Sequence, residues 1–400
     1  MRRVIHPLVW LVLLAQSVSA LGAEPEAETE ADEDTPRDFA IPVAEHSAPG
    51  LPINLNDANT MLNPFQGSTK GWPEDLVIAP IPAYSAQLGW SLTLGAGYFL
   101  DIGAKNDDAP SSIIGGFAMA AENGSSVYGG GMYLHLLEDK LRIKAGATHL
   151  DIRYRFYGIG NVADSLNIDI LQDGPAYFLS GSWKVWKKLY VGLGYRSGSV
   201  DTRVRFDLPL PPNFDPVFKL DLGAFSIPIQ IDSRDHEQFP RKGWLITNQN
   251  VFYRESVGSD FEAETYKLEV NHYFPMRDTD VLATRLAVKS TSEDVPFFLL
   301  STFGGTTDLR GYPSGRYRDR SMYALQTEYR WQFSDRWIFT GFVGVGEVAE
   351  HFSEMGRNFL PAGGIGARFV LSEKHKVGLS VDLATGNDGT EFYFGVGEAF

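Results

Sequence analysis

The chain has 400 residues, no cysteine, 41 glycines, 13% aromatic residues and a net charge of -15. A hydrophobic content of 44% supports a sizeable core and excludes a wholly disordered chain. The missing cysteines exclude a disulfide framework, zinc ribbons, a thiol nucleophile and a lipid-modified N-terminal cysteine. The acidic balance argues against a nucleic-acid partner, which needs a basic footprint.

Residues 1–23 read as a secretory signal peptide. Arg2 and Arg3 are the positive start, Leu8 to Ala15 the apolar centre, and Ala20 or Ala23 the cleavage point. Residues 24–38 carry eight acids against Arg37, a net of -7. Such a block repels itself and buries nothing. Residues 39–75 hold Pro, Asn and Gly without periodicity. The segment 24–75 is therefore expected to be a periplasmic tail or a plug rather than a folded domain.

From residue 76 to residue 400 the pattern is alternation. In 321–333, Tyr323, Leu325, Thr327, Tyr329, Trp331 and Phe333 fall on one face, and Met322, Ala324, Gln326, Glu328, Arg330 and Gln332 on the other. A period of two with one aromatic face and one polar face is a strand between two environments. No later apolar run reaches the roughly 18–20 residues of a membrane helix. The fold expected is all-β: a sixteen-stranded antiparallel transmembrane barrel with lipid outside and a wet lumen inside. Strands are predicted at 77–84, 88–101, 111–121, 125–137, 141–157, 174–186, 189–204, 218–232, 243–256, 260–276, 280–293, 320–333, 337–350, 361–372, 375–386 and 390–400. Tight turns such as 138–140, 187–188 and 334–336 alternate with long connections at 158–173, 205–217 and 294–319.

Four segments stand out. Asp232, Arg234 and Asp235, followed by Pro240 and Gly243, occupy the turn after the eighth strand. These charges could simply pair with one another and hold two strand ends. The run Gly304-Gly305-Thr306-Thr307-Asp308-Leu309-Arg310-Gly311-Tyr312 lies on the longest loop. Inside a polar barrel Arg310 would need a carboxylate, and strand parity offers Glu328 and Asp382. Gly311 would allow a close approach to the wall. The third is Gly364-Ile365-Gly366-Ala367-Arg368. The fourth is the chain end, where Phe392, Phe394, Val396 and Phe400 fall on one face by strict alternation.

These motifs, in this order and register, resemble those of the BamA/TamA superfamily (the bacterial surface antigen family) over roughly residues 76–400. The turn is similar to its D-x-R-D…P-x-x-G signature, and the loop to its G-G…[VL]-R-G-[FY] motif. The resemblance implies that the loop before strand twelve folds into the lumen. It also implies that Phe392, Phe394 and Phe400 form a C-terminal assembly signal. There are two departures. The family's F-x-D-x-G motif on strand thirteen is matched by Phe342-Val343-Gly344-Val345-Gly346, with Gly344 where the acid partner of the loop arginine should be. Glu347 is near, but parity turns it to the other face. Residues 24–75 are too short and too acidic for the periplasmic POTRA domains of larger members.

The resemblance implies a Gram-negative outer-membrane barrel in outer-membrane protein insertion, assembly or translocation. A passive or gated pore, or a structural barrel, is the alternative. The expected surroundings are outer-membrane lipid and lipopolysaccharide. Unfolded outer-membrane proteins would be clients, and a separate periplasmic protein would serve as partner. No nucleophile elbow, zinc-protease motif or P-loop occurs. No ligand spacing supports a metal, so neither an enzyme nor a cofactor is expected.

Overall fold

The computed structural model describes Asp75–Phe400, apart from residues 86–87, 101, 103–111, 157, 161–167, 207–216, 237–238, 278, 306, 314, 373–376 and 397. The expected signal peptide and acidic segment lie outside the described residues. Sixteen strands form one antiparallel sheet in sequence order. They are β1 (Leu76–Ser85), β2 (Gly89–Leu100), β3 (Ser112–Ala121), β4 (Ser126–Leu136), β5 (Leu141–Phe156), β6 (Ile168–Trp186), β7 (Leu189–Phe206) and β8 (Val217–Asp232). There follow β9 (Gly243–Tyr253), β10 (Ala263–Pro275), β11 (Val281–Thr291), β12 (Ser321–Gln332), β13 (Trp337–Ala349), β14 (Leu360–Ser372), β15 (Val377–Gly386) and β16 (Gly389–Val396). Within the loop between β11 and β12, Ser301–Thr302 pairs with Arg318–Asp319.

Alternation builds the wall as the sequence predicts. On β12 the even residues Met322, Ala324, Gln326, Glu328 and Arg330 are buried inside, whereas Leu325 and Trp331 are exposed outside. At the turn end, Trp331, Phe333, Trp337, Phe339 and Phe369 form a connected outward aromatic group, with centroids 5.0–6.2 Å apart. Such a girdle suits the interface between lipid and water.

Three expectations need correction. β6 begins at Ile168 rather than 174, and β16 ends at Val396 rather than 400. The lumen is not polar throughout. On β5 the outward residues change from Leu141, Ile143, Ala145 and Ala147 to His149, Asp151, Arg153 and Arg155. The inward ones change in the opposite sense, from Arg142, Lys144, Gly146 and Thr148 to Leu150, Ile152, Tyr154 and Phe156. Those four pack with Ile168, Ile170, Val200, Val204, Leu220 and Leu222 into one buried apolar cluster at the loop end. Outside, Arg155 Nε lies 3.4 Å from Asp169 Oδ1, and His149 Nε2 lies 3.1 Å from Asp173 Oδ2. The strands therefore leave lipid near residue 148. Above that point water wets the outer face, and the inner face closes on itself by burying its apolar surface. The early start of β6 belongs to this inverted region, where acids point outward.

The sheet's two edges, β1 and β16, lie side by side. No ladder of main-chain hydrogen bonds joins them among the described residues. Phe99 N–H donates to the carbonyl of Asp75 at 2.9 Å, and the register from Leu76 to Ser85 is continuous. In an antiparallel pair every second residue bonds to the same neighbour. The odd residues of β1 therefore face β2. The even ones, including Pro80 and Pro82, face the seam.

Candidate functional site

Residues 303–317 fold into the barrel. Gly304 (φ 107°) and Gly305 (φ 78°) reverse the chain, and Gly305 N–H donates to the carbonyl of Tyr312 at 3.0 Å. Leu309, Arg310 and Tyr312 are fully buried. Phe303, Tyr312 and Tyr317 pack together with centroids 5.6–6.0 Å apart.

Arg310 reaches both acids that parity selected. Its Nη1 donates to Asp382 Oδ2 at 2.8 Å and its Nη2 to Glu328 Oε2 at 2.6 Å. The guanidinium stacks on the Phe342 ring at 3.5 Å from the centroid. Its main-chain N–H donates to Gln326 Oε1 at 3.2 Å. The two acids are shared. Arg368 Nη1 donates to Asp382 Oδ1 at 2.5 Å, and Arg330 Nε donates to Glu328 Oε1 at 2.8 Å. Gly366 makes this pairing fit, since a Cβ there would overlap Asp382 Oδ1. Gly311 (φ 106°) lies against the wall, and its added Cβ would stand 2.8 Å from the carbonyl oxygen of Thr385. Gly311 N–H donates to the Tyr393 hydroxyl at 2.8 Å, and the Tyr312 hydroxyl donates to the carbonyl of Pro361 at 2.7 Å.

The loop has a second charged arm that the sequence reading missed. Asp308 accepts from Arg285 Nη2 at 2.8 Å and from Lys289 Nζ at 2.6 Å. Arg285 also pairs with Glu269, to which Lys267 Nζ lies at 2.7 Å. Asp308 and Arg310 thus grip adjoining parts of the wall: Asp308 the cations of β11, and Arg310 the anions of β12, which pairs with β11, and of β15. The signal was present in the sequence as odd-numbered Lys267, Arg285 and Lys289 on inward faces, but nothing assigned them a partner.

Gly344 also has its reason here. A Cβ on it would stand 2.8 Å from Leu309 Cδ1 and 2.9 Å from the carbonyl oxygen of Leu325. The space of the family's acid is filled by a loop leucine. Glu347 points outward, as parity requires, and accepts the N–H groups of Gly356, Arg357 and Asn358 at 2.7–3.1 Å. It shapes the β13–β14 loop rather than the lumen.

The turn motif closes on itself. Arg234 Nε and Nη2 donate to the two oxygens of Asp232 at 3.0 and 2.9 Å. Asp235 Oδ1 accepts from the N–H of Arg241 at 2.9 Å. Pro240 is buried. Gly243 (φ 108°) passes so close to Ser233 and Arg234 that a Cβ would collide with their main chain. Phe392 and Phe394 share the outward face of β16, with centroids 6.2 Å apart. Phe400 does not share it. The chain leaves the ladder after Val396, and Phe400 packs inside against Tyr273, Val281 and Ala283. The ring is drawn in by Arg330, whose Nη2 donates to the main-chain oxygen of Phe400 at 2.8 Å.

A further polar cluster lies at the turn end. Leu137, Glu138 and Asp139 are successive left-handed residues (φ 55°, 58° and 60°), a conformation costing about 1–2 kcal/mol per residue. They aim Asp139 at its partners. His135 Nδ1 lies 2.8 Å away, Arg142 Nε donates at 2.7 Å, and the Tyr190 hydroxyl donates to Oδ2. Burial works against the charge, but the His135, Arg142 and Tyr190 contacts outweigh it and hold the carboxyl far below its ordinary 3.8. A depressed folded-state value adds stability above the unfolded value that is lost as pH falls below it. Between about pH 6 and about pH 3 the thermal midpoint of the wild type should therefore fall further than that of Asp139→Asn. Parallel curves in a calorimeter would show that Asp139 carries no such stability.

An even-stranded antiparallel barrel with an apolar outer belt, an aromatic girdle and a charged loop locked in its lumen is an outer-membrane barrel. Residues 189–400 match the Omp85 superfamily domain. The chain belongs to the Omp85 superfamily, whose barrels are non-enzymatic membrane proteins. Two solved structures have the same fold. One is BamA from Haemophilus ducreyi lacking POTRA domains 1–3, at TM-score 0.55 and 15% identity, covering 81% of this chain and 69% of that one. The other is CdiB from Acinetobacter baumannii, at TM-score 0.52 and 11% identity, covering 80% and 59%. No curated protein matches.

Proposed function

We propose that this outer-membrane barrel assists the insertion of other outer-membrane proteins through its β1–β16 seam. The observation that carries this is the edge of β1. Proline has no N–H to donate, and Pro80 and Pro82 both sit on the seam-facing register. An edge short of donors holds its neighbour weakly and leaves carbonyls free to template an incoming strand by β-augmentation. The passive-pore reading is disfavoured, because the locked loop and the apolar cluster occupy the lumen that solute would cross. The signal peptide at 1–23 supports export. The acidic residues 24–38 support recruitment of a separate periplasmic partner, since the segment is too short to receive clients by itself.

The test is a folding assay. The purified barrel is reconstituted in liposomes, and the folding of an added unfolded outer-membrane protein is timed against empty liposomes. Acceleration is expected. Pro80→Val with Pro82→Val restores two N–H donors that point into the seam, and should slow the client without unfolding the barrel. No acceleration, with periplasmic chaperones also supplied, would overturn the insertase reading.

A further inference from the structure

The chain end beyond β16 is not a free tail. Glu398 Oε2 accepts from Arg368 Nε at 3.1 Å and lies 3.4 Å from Arg330 Nε. These are the two wall arginines that share Asp382 and Glu328 with Arg310. Arg310, Arg330, Arg368, Glu328, Asp382 and Glu398 form one buried group, and their side-chain charges cancel. Four members sit on the strands β12, β14 and β15. Two do not: Arg310 rides on the lumen loop, and Glu398 rides on the tail of the seam strand.

An uncompensated charge buried in such a group is costly. If β16 moves and takes Glu398 with it, the group is left with one positive charge in excess. Arg310 is the one arginine among the three that can leave without moving a barrel strand. If the loop withdraws first, the group is left with one negative charge in excess, and Glu398 is the acid that can leave. The grip on Glu398 is also partial, since its Oε1 is buried without a hydrogen-bond donor among the described residues.

We propose that residues 398–400 are a latch that couples the seam strand to the lumen loop, so that loop withdrawal and seam opening are one event. The latch deepens the seam reading above, and its test needs no client, so either can fail alone. The absence of cysteine makes Thr307→Cys a single reporter on the loop. Its rate of modification by a soluble maleimide is measured in the folded, reconstituted barrel. Glu398→Gln should raise that rate by about tenfold or more, the effect of about 1.4 kcal/mol on the opening equilibrium. Arg310→Gln lowers the thermal midpoint by itself. Combined with Glu398→Gln it should lower it by less than the sum of the two single changes, because the pair restores neutrality. A labelling rate within about twofold of the parent, or additive midpoints as for independent sites, would overturn the latch. If Glu398→Gln does not fold, Phe400→Ala keeps every charge and removes the ring that anchors the tail. It should raise the labelling rate in the same direction, and an unchanged rate would count equally against the latch.

Discussion

Arg310→Glu expels the loop from the lumen while the barrel stays folded. The substitution places a fourth carboxylate beside Glu328, Asp382 and Glu398, and leaves Arg310's two partners without it. Removing one partner of a buried ion pair costs about 3–5 kcal/mol, which shifts loop closure by about two to four orders of magnitude. The loop contributes no strand to the sixteen-stranded sheet, so the variant should keep the heat-modifiable migration of a folded barrel. Two changes are expected together: a rise in single-channel conductance, and loss of the client-folding acceleration. Arg310→Lys should fall between, since an ammonium keeps the charge but loses the fork that spans two acids and the stacking on Phe342. Wild-type conductance in Arg310→Glu would mean that the loop does not close the lumen.

Restoring the family's acid, by Gly344→Asp, should weaken the protein rather than strengthen the lock. The new side chain meets Leu309 Cδ1 and the carbonyl of Leu325 before it can reach an arginine. Overpacking a tight core costs about 1–3 kcal/mol, and desolvating the new carboxylate adds to that. A clear drop in thermal midpoint is expected. Adding Leu309→Ala should recover part of it by vacating the space. A Gly344→Asp barrel as stable as the parent would show that the leucine yields and that the family's arrangement is still open to this chain.

Much of this site was legible in the sequence. Arg310, Glu328 and Asp382 were paired from two facts: a long loop must put its arginine somewhere, and strand parity sends even residues of β12 and β15 inward. Parity also turned Glu347 away correctly. Asp308 escaped because its partners Arg285 and Lys289 lie on a strand whose height in the barrel no local pattern records. Arg368 was quoted within a motif but given no role, because its acids arrive from β15 and from the chain end. Phe400 was placed outside by extending alternation beyond the last ladder bond.

The sequence by itself determined the strands, their count, the outward girdle and the inward charges. All of these follow from a period of two and from turn residues that act within a few positions. The tertiary structure decided three other things. Closure of sixteen strands brings Asp382 to Arg310 across 72 positions, which no local pattern specifies. The membrane surface inverts the sense of burial halfway up β5–β8, because water replaces lipid outside at that height. The lumen's fixed space gives Gly344 to Leu309 and the chain end to Arg330 and Arg368, because side chains from distant strands must fill one volume and balance one set of charges.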